Sequence, residues 1–213
     1  MILVFITDPE VWHGGAEGLN ALLGNGLHRL QVRKPCRTED ELAVLVEQIH
    51  DRLRQRVTLH DHFELQQRYS LGGVHLNGRN PSVPEGFLGM VSRSCHSLDE
   101  VVVWKEHADY LFLSPIFDSI SKSGYRSGFS CEQLCEAADR GIIDSRVFAL
   151  GGVSTENLPN VRSMGFGGAV FLGDIWSRYH SPADMQAVLC HFEKLRSAAV
   201  DDKCIAGHSS LRW

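Results

Sequence analysis

The stretch ADYLFLSPIFDSISK, residues 108–122, carries the pattern that decides the fold. Its first part, Ala108–Leu113, is a short apolar and aromatic run that is typical of a buried parallel strand. Beyond the end of that strand come two hydroxyl side chains at alternate positions, Ser119 and Ser121, and then Lys122. Hydroxyl and ammonium groups at the carboxyl end of a strand are suited to holding a phosphorylated ligand.

Small residues follow the next two apolar runs of the chain in the same way. Gly151 and Gly152 come directly after the predicted strand Val147–Leu150, and Leu172-Gly173 lies at the end of the following one. A glycine pair lets the backbone approach an anion closely, although it is equally consistent with a simple tight turn. Three successive strand ends of this kind predict one shared phosphate-binding mouth.

Apolar runs alternate with helical patterns over the whole chain, and this alternation predicts a (β/α)8 TIM barrel, an α/β fold, over residues 1–199. Residues 200–213 are predicted to be a C-terminal tail. An open doubly wound sheet is the alternative, but no GxGxxG fingerprint follows the first strand. The predicted strands are Ile2–Thr7, Arg29–Val32, Val57–His60, Gly73–Leu76, Met90–Arg93, Tyr110–Leu113, Val147–Leu150 and Ala169–Leu172. The predicted helices are Ala16–Asn25, Thr38–Arg54, His62–Tyr69, Leu98–His107, Cys131–Ala138, Asn157–Met164 and Pro182–Ala199.

Composition limits the class of protein. The 213 residues are 43% hydrophobic and 22% charged, which is ordinary for a soluble domain. A formal net charge of −5 argues against general nucleic-acid or anionic-membrane binding, and no apolar run is long enough to span a membrane. The six cysteines form no CxxC pair, and the N-terminal stretch is interpreted as a strand rather than a signal peptide. We therefore expect reduced thiols and a cytoplasmic location.

Polar side chains at other predicted strand ends extend the candidate site. Gln31 and Arg33 alternate on the second strand, so both face the same way, and the guanidinium of Arg33 suits a phosphate or diphosphate. The alternative is a structural Arg–carboxylate pair. Asp61 follows the third strand and could bind Mg²⁺ or cap the helix that begins near His62. His75 and His96 are interpreted as structural residues rather than catalytic ones.

In this order, the motifs resemble the thiamine phosphate synthase family and its thiazole tautomerase relatives over residues 1–198. The family carries Gln-x-Arg-x-Lys after its second strand and Thr-x-Thr-Lys after its sixth. The matching segments are Ile6-Thr7-Asp8, Gln31-Val32-Arg33, His60-Asp61, Gly73-Val74-His75-Leu76, Ser94-Cys95-His96-Ser97, Ala108-Asp109-Tyr110, Ser114-Pro115-Ile116-Phe117, Ser119-Ile120-Ser121-Lys122 and Gly151-Gly152-Val153.

The resemblance implies a cytoplasmic transferase of thiamine biosynthesis that joins hydroxymethylpyrimidine diphosphate to thiazole phosphate with the help of Mg²⁺. Arg33 and Lys122 would be catalytic, because stabilising the departing diphosphate is the main task. The residues implied to contact the pyrimidine diphosphate are Gln31, Arg33, His60, Ser94 and Lys122. Lys34 is taken as a further substrate-binding residue, in place of the motif Lys. Those implied to hold the thiazole phosphate are Ser119, Ser121, Gly151, Gly152, Leu172 and Gly173. Asp61 and Asn80 are the implied metal ligands.

Departures from the family pattern leave alternatives open. The second-strand Lys falls on Pro35, with Lys34 one place early, and the position of the second metal carboxylate is Asn80. These changes affect the diphosphate end and leave the thiazole end intact. A tautomerase-like isomerase or a non-catalytic thiazole or thiamine phosphate binder is therefore also considered, although Pro115 stands where tautomerase-type sequences carry a catalytic His. The expected partners are small phosphorylated molecules, without nucleic acid or membrane, and a homo-oligomer is left open.

Overall fold

The computed structural model describes residues 1–9, 15–118 and 127–200, and it contains a closed barrel of eight parallel strands. The strands pair in chain order, and the eighth returns to the first with Ile2 opposite Gly168. This confirms the predicted (β/α)8 fold. The predicted boundary between barrel and tail stays a prediction, since residues 201–213 lie outside the described ranges.

The strands begin and end within two residues of the predicted positions. They are β1 Ile2–Ile6, β2 Arg29–Val32, β3 Val57–Leu59, β4 Gly73–Leu76, β5 Met90–Cys95, β6 Tyr110–Leu113, β7 Val147–Leu150 and β8 Gly168–Phe171.

Helices surround the barrel, except between β4 and β5, where residues 77–89 form a loop. The α-helices are α1 Gly15–Gly24, α2 Glu39–Glu47, α3 Glu64–Tyr69, α4 Leu98–Trp104, α5 Cys131–Asp139, α6 Leu158–Ser163, α7 Gly173–Trp176 and α8 Met185–Ala199. Two 3₁₀ helices lie at Asp51–Arg56 and Pro182–Asp184.

The predicted helix Thr38–Arg54 is correct only in its first half. Its start has the expected capping box, in which Thr38 Oγ1 accepts from Glu41 N at 3.3 Å and Thr38 N donates to Glu41 Oε2 at 2.9 Å. The helix ends at Glu47 because α1 supplies competing hydrogen bonds. The Asn20 side chain donates to Gln48 O and accepts from His50 N, both at 2.9 Å.

The barrel interior contains an apolar cluster with a polar layer above it. The cluster is aromatic at its centre, where the rings of Tyr110 and Phe148 stack with centroids 5.2 Å apart. Its buried members are Val4, Ile6, Tyr110, Phe112, Phe148 and Val170. Because alternate residues of each strand face inward, the next inward positions on β2, β4 and β5 place Gln31, His75 and Ser92 above or beside this cluster. This layer forms the floor of the candidate site.

Candidate active site

Gln31 is completely buried inside the barrel, and both ends of its amide are held. Its Nε2 donates to the Tyr110 hydroxyl at 2.8 Å, and its Oε1 lies 2.9 Å from His60 Nε2. Since Oε1 can only accept, His60 donates through Nε2. Both ends of the amide therefore have hydrogen-bond partners, which offset the cost of burying it.

Two stacked imidazoles continue the floor. The rings of His60 and His75 have centroids 4.1 Å apart, and the two nitrogens of His75 each lie 2.9 Å from a hydroxyl, Ser92 Oγ and Ser94 Oγ. Burial lowers the pKa of His75 to about 3, and burial together with the neighbouring His75 holds the pKa of His60 well below its usual range. Both imidazoles are therefore neutral at physiological pH and serve as hydrogen-bonding groups.

A cavity of about 700 Å³ opens above this floor at the carboxyl ends of the strands. It is the expected place for the active site of such a barrel. Seven of the residues predicted from the sequence line it: Arg33, His60, Ser94, Gly151, Gly152, Leu172 and Gly173. The structure thus brings both predicted ends of the site to one cavity. Ser119, Ser121 and Lys122 lie outside the described residues.

Arg33 stands at the mouth, just beyond the end of β2. Its backbone is fixed by Thr7, because Arg33 N donates to Thr7 Oγ1 at 3.0 Å and Thr7 Oγ1 donates to Arg33 O at 3.3 Å. Among the residues that the structure describes, none pairs with its guanidinium group. The side chain therefore does not form the structural Arg–carboxylate pair considered above within those residues, and it is available to an anion.

Lys34 occupies a different place from the other predicted ligands. It is buried, and its Nζ donates to the backbone carbonyl of Asp8 rather than lining the cavity. Burial lowers the pKa of Lys34 to about 8, so the ammonium group remains mostly protonated at neutral pH. Lys34 does not line the cavity, so it can act on an anion there only through long-range electrostatics.

The predicted metal ligands, Asp61 and Asn80, lie side by side, but the Asp61 carboxylate forms an ion pair with Arg79. Asp61 Oδ1 accepts from Arg79 Nε at 3.0 Å, from Arg79 Nη2 at 2.8 Å and from Asn80 Nδ2 at 3.2 Å. Mg²⁺ requires a near-octahedral set of oxygen ligands. The Asp61 carboxylate is already paired with a guanidinium, and the neighbouring Asn80 amide presents its nitrogen to it. This pair of side chains does not fit a resident divalent cation. Binding of Mg²⁺ itself stays a prediction.

The turn after β7 forms the opposite end of the cavity. Gly151 and Gly152 have φ values of +96° and +64°, and a Cβ atom on Gly152 would lie 2.2 Å from Asp118 O. The turn is braced by Asn157, whose Nδ2 donates to Gly152 O at 2.8 Å. Only glycine fits there, and the backbone stays open to a ligand.

Two features of the cavity wall were given no role in the sequence interpretation. Arg79 stands in the loop directly after β4, a place that could have identified it as a candidate. Asp174, at the start of α7, is buried and bonds His191 Nε2 through Oδ2 at 2.7 Å. The four-residue helix α7 has no periodicity that would predict it from sequence.

The sequence family described as thiamine monophosphate synthase matches residues 3–175. A putative thiamine-phosphate synthase of Geobacter sulfurreducens is 29% identical over 186 residues, covering 81% of this chain and 85% of the relative. The crystal structure of thiamine phosphate pyrophosphorylase from Bacteroides thetaiotaomicron superposes with a TM-score of 0.86 and 39% identity, covering 93% and 98% of the two chains. A thiamine phosphate pyrophosphorylase of Pyrococcus furiosus, with a TM-score of 0.70 and 18% identity, shares the fold. No helix in the described ranges could span a membrane.

Proposed function

The chain belongs to the thiamine monophosphate synthase family, and from this premise we propose that it is a transferase that joins hydroxymethylpyrimidine diphosphate to thiazole phosphate. The products are thiamine phosphate and pyrophosphate. The observation that carries the proposal is the cavity of about 700 Å³, which has at one end a guanidinium that pairs with no described residue and at the other a glycine turn.

The diphosphate end stabilises the leaving group. Breaking the bond between the pyrimidine methylene carbon and the diphosphate oxygen leaves negative charge on the diphosphate. We assign the Arg33 guanidinium to take up that charge, because it lines the cavity and pairs with no described residue. The two stacked imidazoles beneath it are neutral, so the floor supports an uncharged pyrimidine ring without competing for the anion.

The glycine end positions the nucleophile. The backbone of Gly152 and the turn at Leu172-Gly173 line the cavity, and we assign them to the thiazole phosphate. The described flanks of the loop after β6 are joined at this mouth, since Ser127 N donates to Asp118 Oδ1 at 2.7 Å. Ser119, Ser121 and Lys122 belong to the segment between these flanks, and their proposed contacts with phosphate rest on the sequence motif.

The proposal includes small phosphorylated substrates and a cytoplasmic location. The five cysteines that the structure describes form no disulfide, which is consistent with a reducing compartment.

The test is an incubation of the purified chain with both substrates, with thiamine phosphate read by fluorescence after oxidation and pyrophosphate measured in parallel. We expect the two products in equal amounts. A chain that binds thiazole phosphate but forms neither product would contradict the transferase and would favour the isomerase or the binding protein considered above.

A further inference from the structure

We propose that Arg79 performs the charge-neutralising task of a divalent cation, so that this chain grips a diphosphate between Arg33 and Arg79 without a metal ion. The identity of the diphosphate as part of a pyrimidine substrate rests on the proposed function. The anion site itself rests on the contacts below.

The loop after β4 holds Arg79 rigidly at the cavity wall. Asn77 Oδ1 accepts from Arg79 N at 2.9 Å and from Asn80 N at 3.2 Å. Asn77 Nδ2 in turn donates to His60 O at 2.7 Å, which ties the loop to the end of β3. The backbone that carries Arg79 is therefore clamped to the barrel.

The guanidinium of Arg79 has one edge bound to Asp61 and one edge without a partner among the described residues. Nε and Nη2 bind Asp61, whose side chain is only 12% exposed, whereas the Arg79 side chain is 49% exposed and lines the cavity. In the part of the chain that the structure describes, Nη1 has no hydrogen-bond partner. A guanidinium group that is fixed to one protein carboxylate and lines the cavity can donate charge-assisted hydrogen bonds to a bound diphosphate.

Asn80 cannot supply the missing metal ligand in this arrangement. Its Nδ2 contacts two acceptors, His60 O at 3.0 Å and Asp61 Oδ1 at 3.2 Å. Turning the amide over would place its oxygen against both of them, so the hydrogen bonds fix the nitrogen there. Among the described residues, Asp61 thus accepts from Arg79 and Asn80, and the Asn80 amide turns its nitrogen rather than its oxygen towards the carboxylate.

Arg33 supplies the second cation of the site. Both Arg33 and Arg79 line the cavity next to His60, and both help to lower the pKa of that imidazole. The described acids that line the cavity are Glu100, whose Oε2 already accepts from His96 N, and Asp174, whose Oδ2 is paired with His191 Nε2. Arg93 also lines the cavity, and the guanidinium group of Arg33 has no partner among the described residues, so its positive charge is open to a diphosphate.

The test measures the binding of inorganic pyrophosphate by calorimetry, using metal-stripped protein in EDTA and then in Mg²⁺. We expect dissociation constants within about threefold of each other, and a loss of at least ~tenfold in EDTA for Arg79→Gln, which removes charge-assisted hydrogen bonds. Arg140→Gln is the matched control, because this exposed residue caps the far end of α5. Binding that requires Mg²⁺ and is unchanged in Arg79→Gln would overturn the proposal.

Two further variants separate the anion site from its surroundings. Arg79→Gln with Asp61→Asn removes the carboxylate that the single variant would leave unpaired, and we expect pyrophosphate binding to stay weak. Recovery of the wild-type affinity would mean that Arg79 only neutralises the Asp61 carboxylate and does not bind the anion itself. Arg79→Gln with Asn80→Asp should gain a one-to-one Mn²⁺ site, seen by electron paramagnetic resonance, that the wild-type chain lacks. A wild-type Mn²⁺ site that Asp61→Asn abolishes would contradict the inference.

The outcomes distinguish this inference from the proposed function. Pyrophosphate binding in EDTA without thiamine phosphate formation would end the transferase proposal and leave the anion site. Product formation together with strictly Mg²⁺-dependent pyrophosphate binding would end the proposal of a metal-free anion site and leave the transferase proposal.

Discussion

Arg33 shows how a single side chain connects the sequence pattern to the chemistry. Its alternation with Gln31 predicts that both residues belong to the barrel interior, and the structure places Gln31 in the floor and Arg33 at the mouth above it. The strand period alone is enough for this inference, because inward and outward positions alternate.

Replacement of Arg33 by Ala should lower kcat/KM for thiamine phosphate formation by ~100-fold or more, since hydrogen bonds to charged groups contribute roughly 1.5–3 kcal/mol each. Steady-state kinetics would measure this, with Arg140→Ala as the control on a distant exposed Arg. Near-normal turnover of Arg33→Ala would remove this residue from the diphosphate site.

A substitution at Gly152 tests whether the turn after β7 binds the thiazole phosphate. Gly152→Ala should greatly weaken binding of thiazole phosphate, because the added Cβ would lie 2.2 Å from Asp118 O and would push the two mouth loops apart. Gly141→Ala is the matched control: Gly141 also has a positive φ, +70°, but nothing lies within 4 Å of its Cβ position.

Calorimetric titration of thiazole phosphate into both variants gives the comparison. Both should lose on the order of 1 kcal/mol of stability from backbone strain. Gly152→Ala should lose more than Gly141→Ala because its Cβ also clashes with Asp118 O, and only Gly152→Ala should lose the ligand. Equal binding by the two variants would show that the turn after β7 does not hold phosphate.

The ion pair between Asp61 and Arg79 marks what the sequence could not predict at the residue scale. The sequence leaves Asp61 open to two interpretations, metal ligand or helix cap; in the structure it does not cap α3 and instead pairs with Arg79. Its partner comes from a loop whose shape depends on the side chain of Asn77. Such a long-range contact leaves no periodic pattern in the chain.

At the scale of elements, strands were easier to place than helix ends. Each strand is an apolar run bounded by turn residues, so its position can be predicted from the local sequence alone. The end of α2 depends instead on Asn20 of α1, whose amide captures Gln48 O and His50 N. Apolar residues continue past that point, since Ile49 and Leu53 are still buried, and their spacing predicted a longer helix.

Replacement of Asn20 by Ala should therefore lower the free energy of unfolding by about 1–2 kcal/mol, because two hydrogen bonds between elements are lost. Urea unfolding would measure this. Asn25→Ala is the control, since the contact of the Asn25 side chain in the described part of the chain is a local one, to Ala21 O at 2.8 Å. Equal effects of the two substitutions would mean that the contact between α1 and the end of α2 contributes no stability of its own.

At the scale of the whole molecule, the buried imidazoles make stability depend on pH. The folded chain keeps His75 neutral, with its pKa lowered to about 3, whereas the unfolded chain protonates it near pH 6.5. Below pH 6.5 the unfolded state therefore binds more protons, and stability falls as the pH decreases towards 3. His28, which accepts from Leu3 N at 3.2 Å and also has a lowered pKa, acts in the same direction.

We expect the free energy of unfolding to fall between pH 7.5 and pH 5, with His75 contributing at most about 1.4 kcal/mol per pH unit below 6.5. Urea unfolding across this range would measure the slope, and His75→Gln should reduce it. A slope that is unchanged in the variant would show that His75 is not the group responsible.

The fold as a whole was predictable because eight strand patterns alternate with helical ones, and the barrel brings the ends of distant strands to one mouth. Where the substrates lie in that mouth is tested most directly by one crystal structure with thiamine phosphate and pyrophosphate bound together. We expect the phosphate of thiamine phosphate at the turns of Gly152 and Gly173, and pyrophosphate between Arg33 and Arg79. Pyrophosphate at the glycine turns, or either product outside this cavity, would contradict the proposed mechanism.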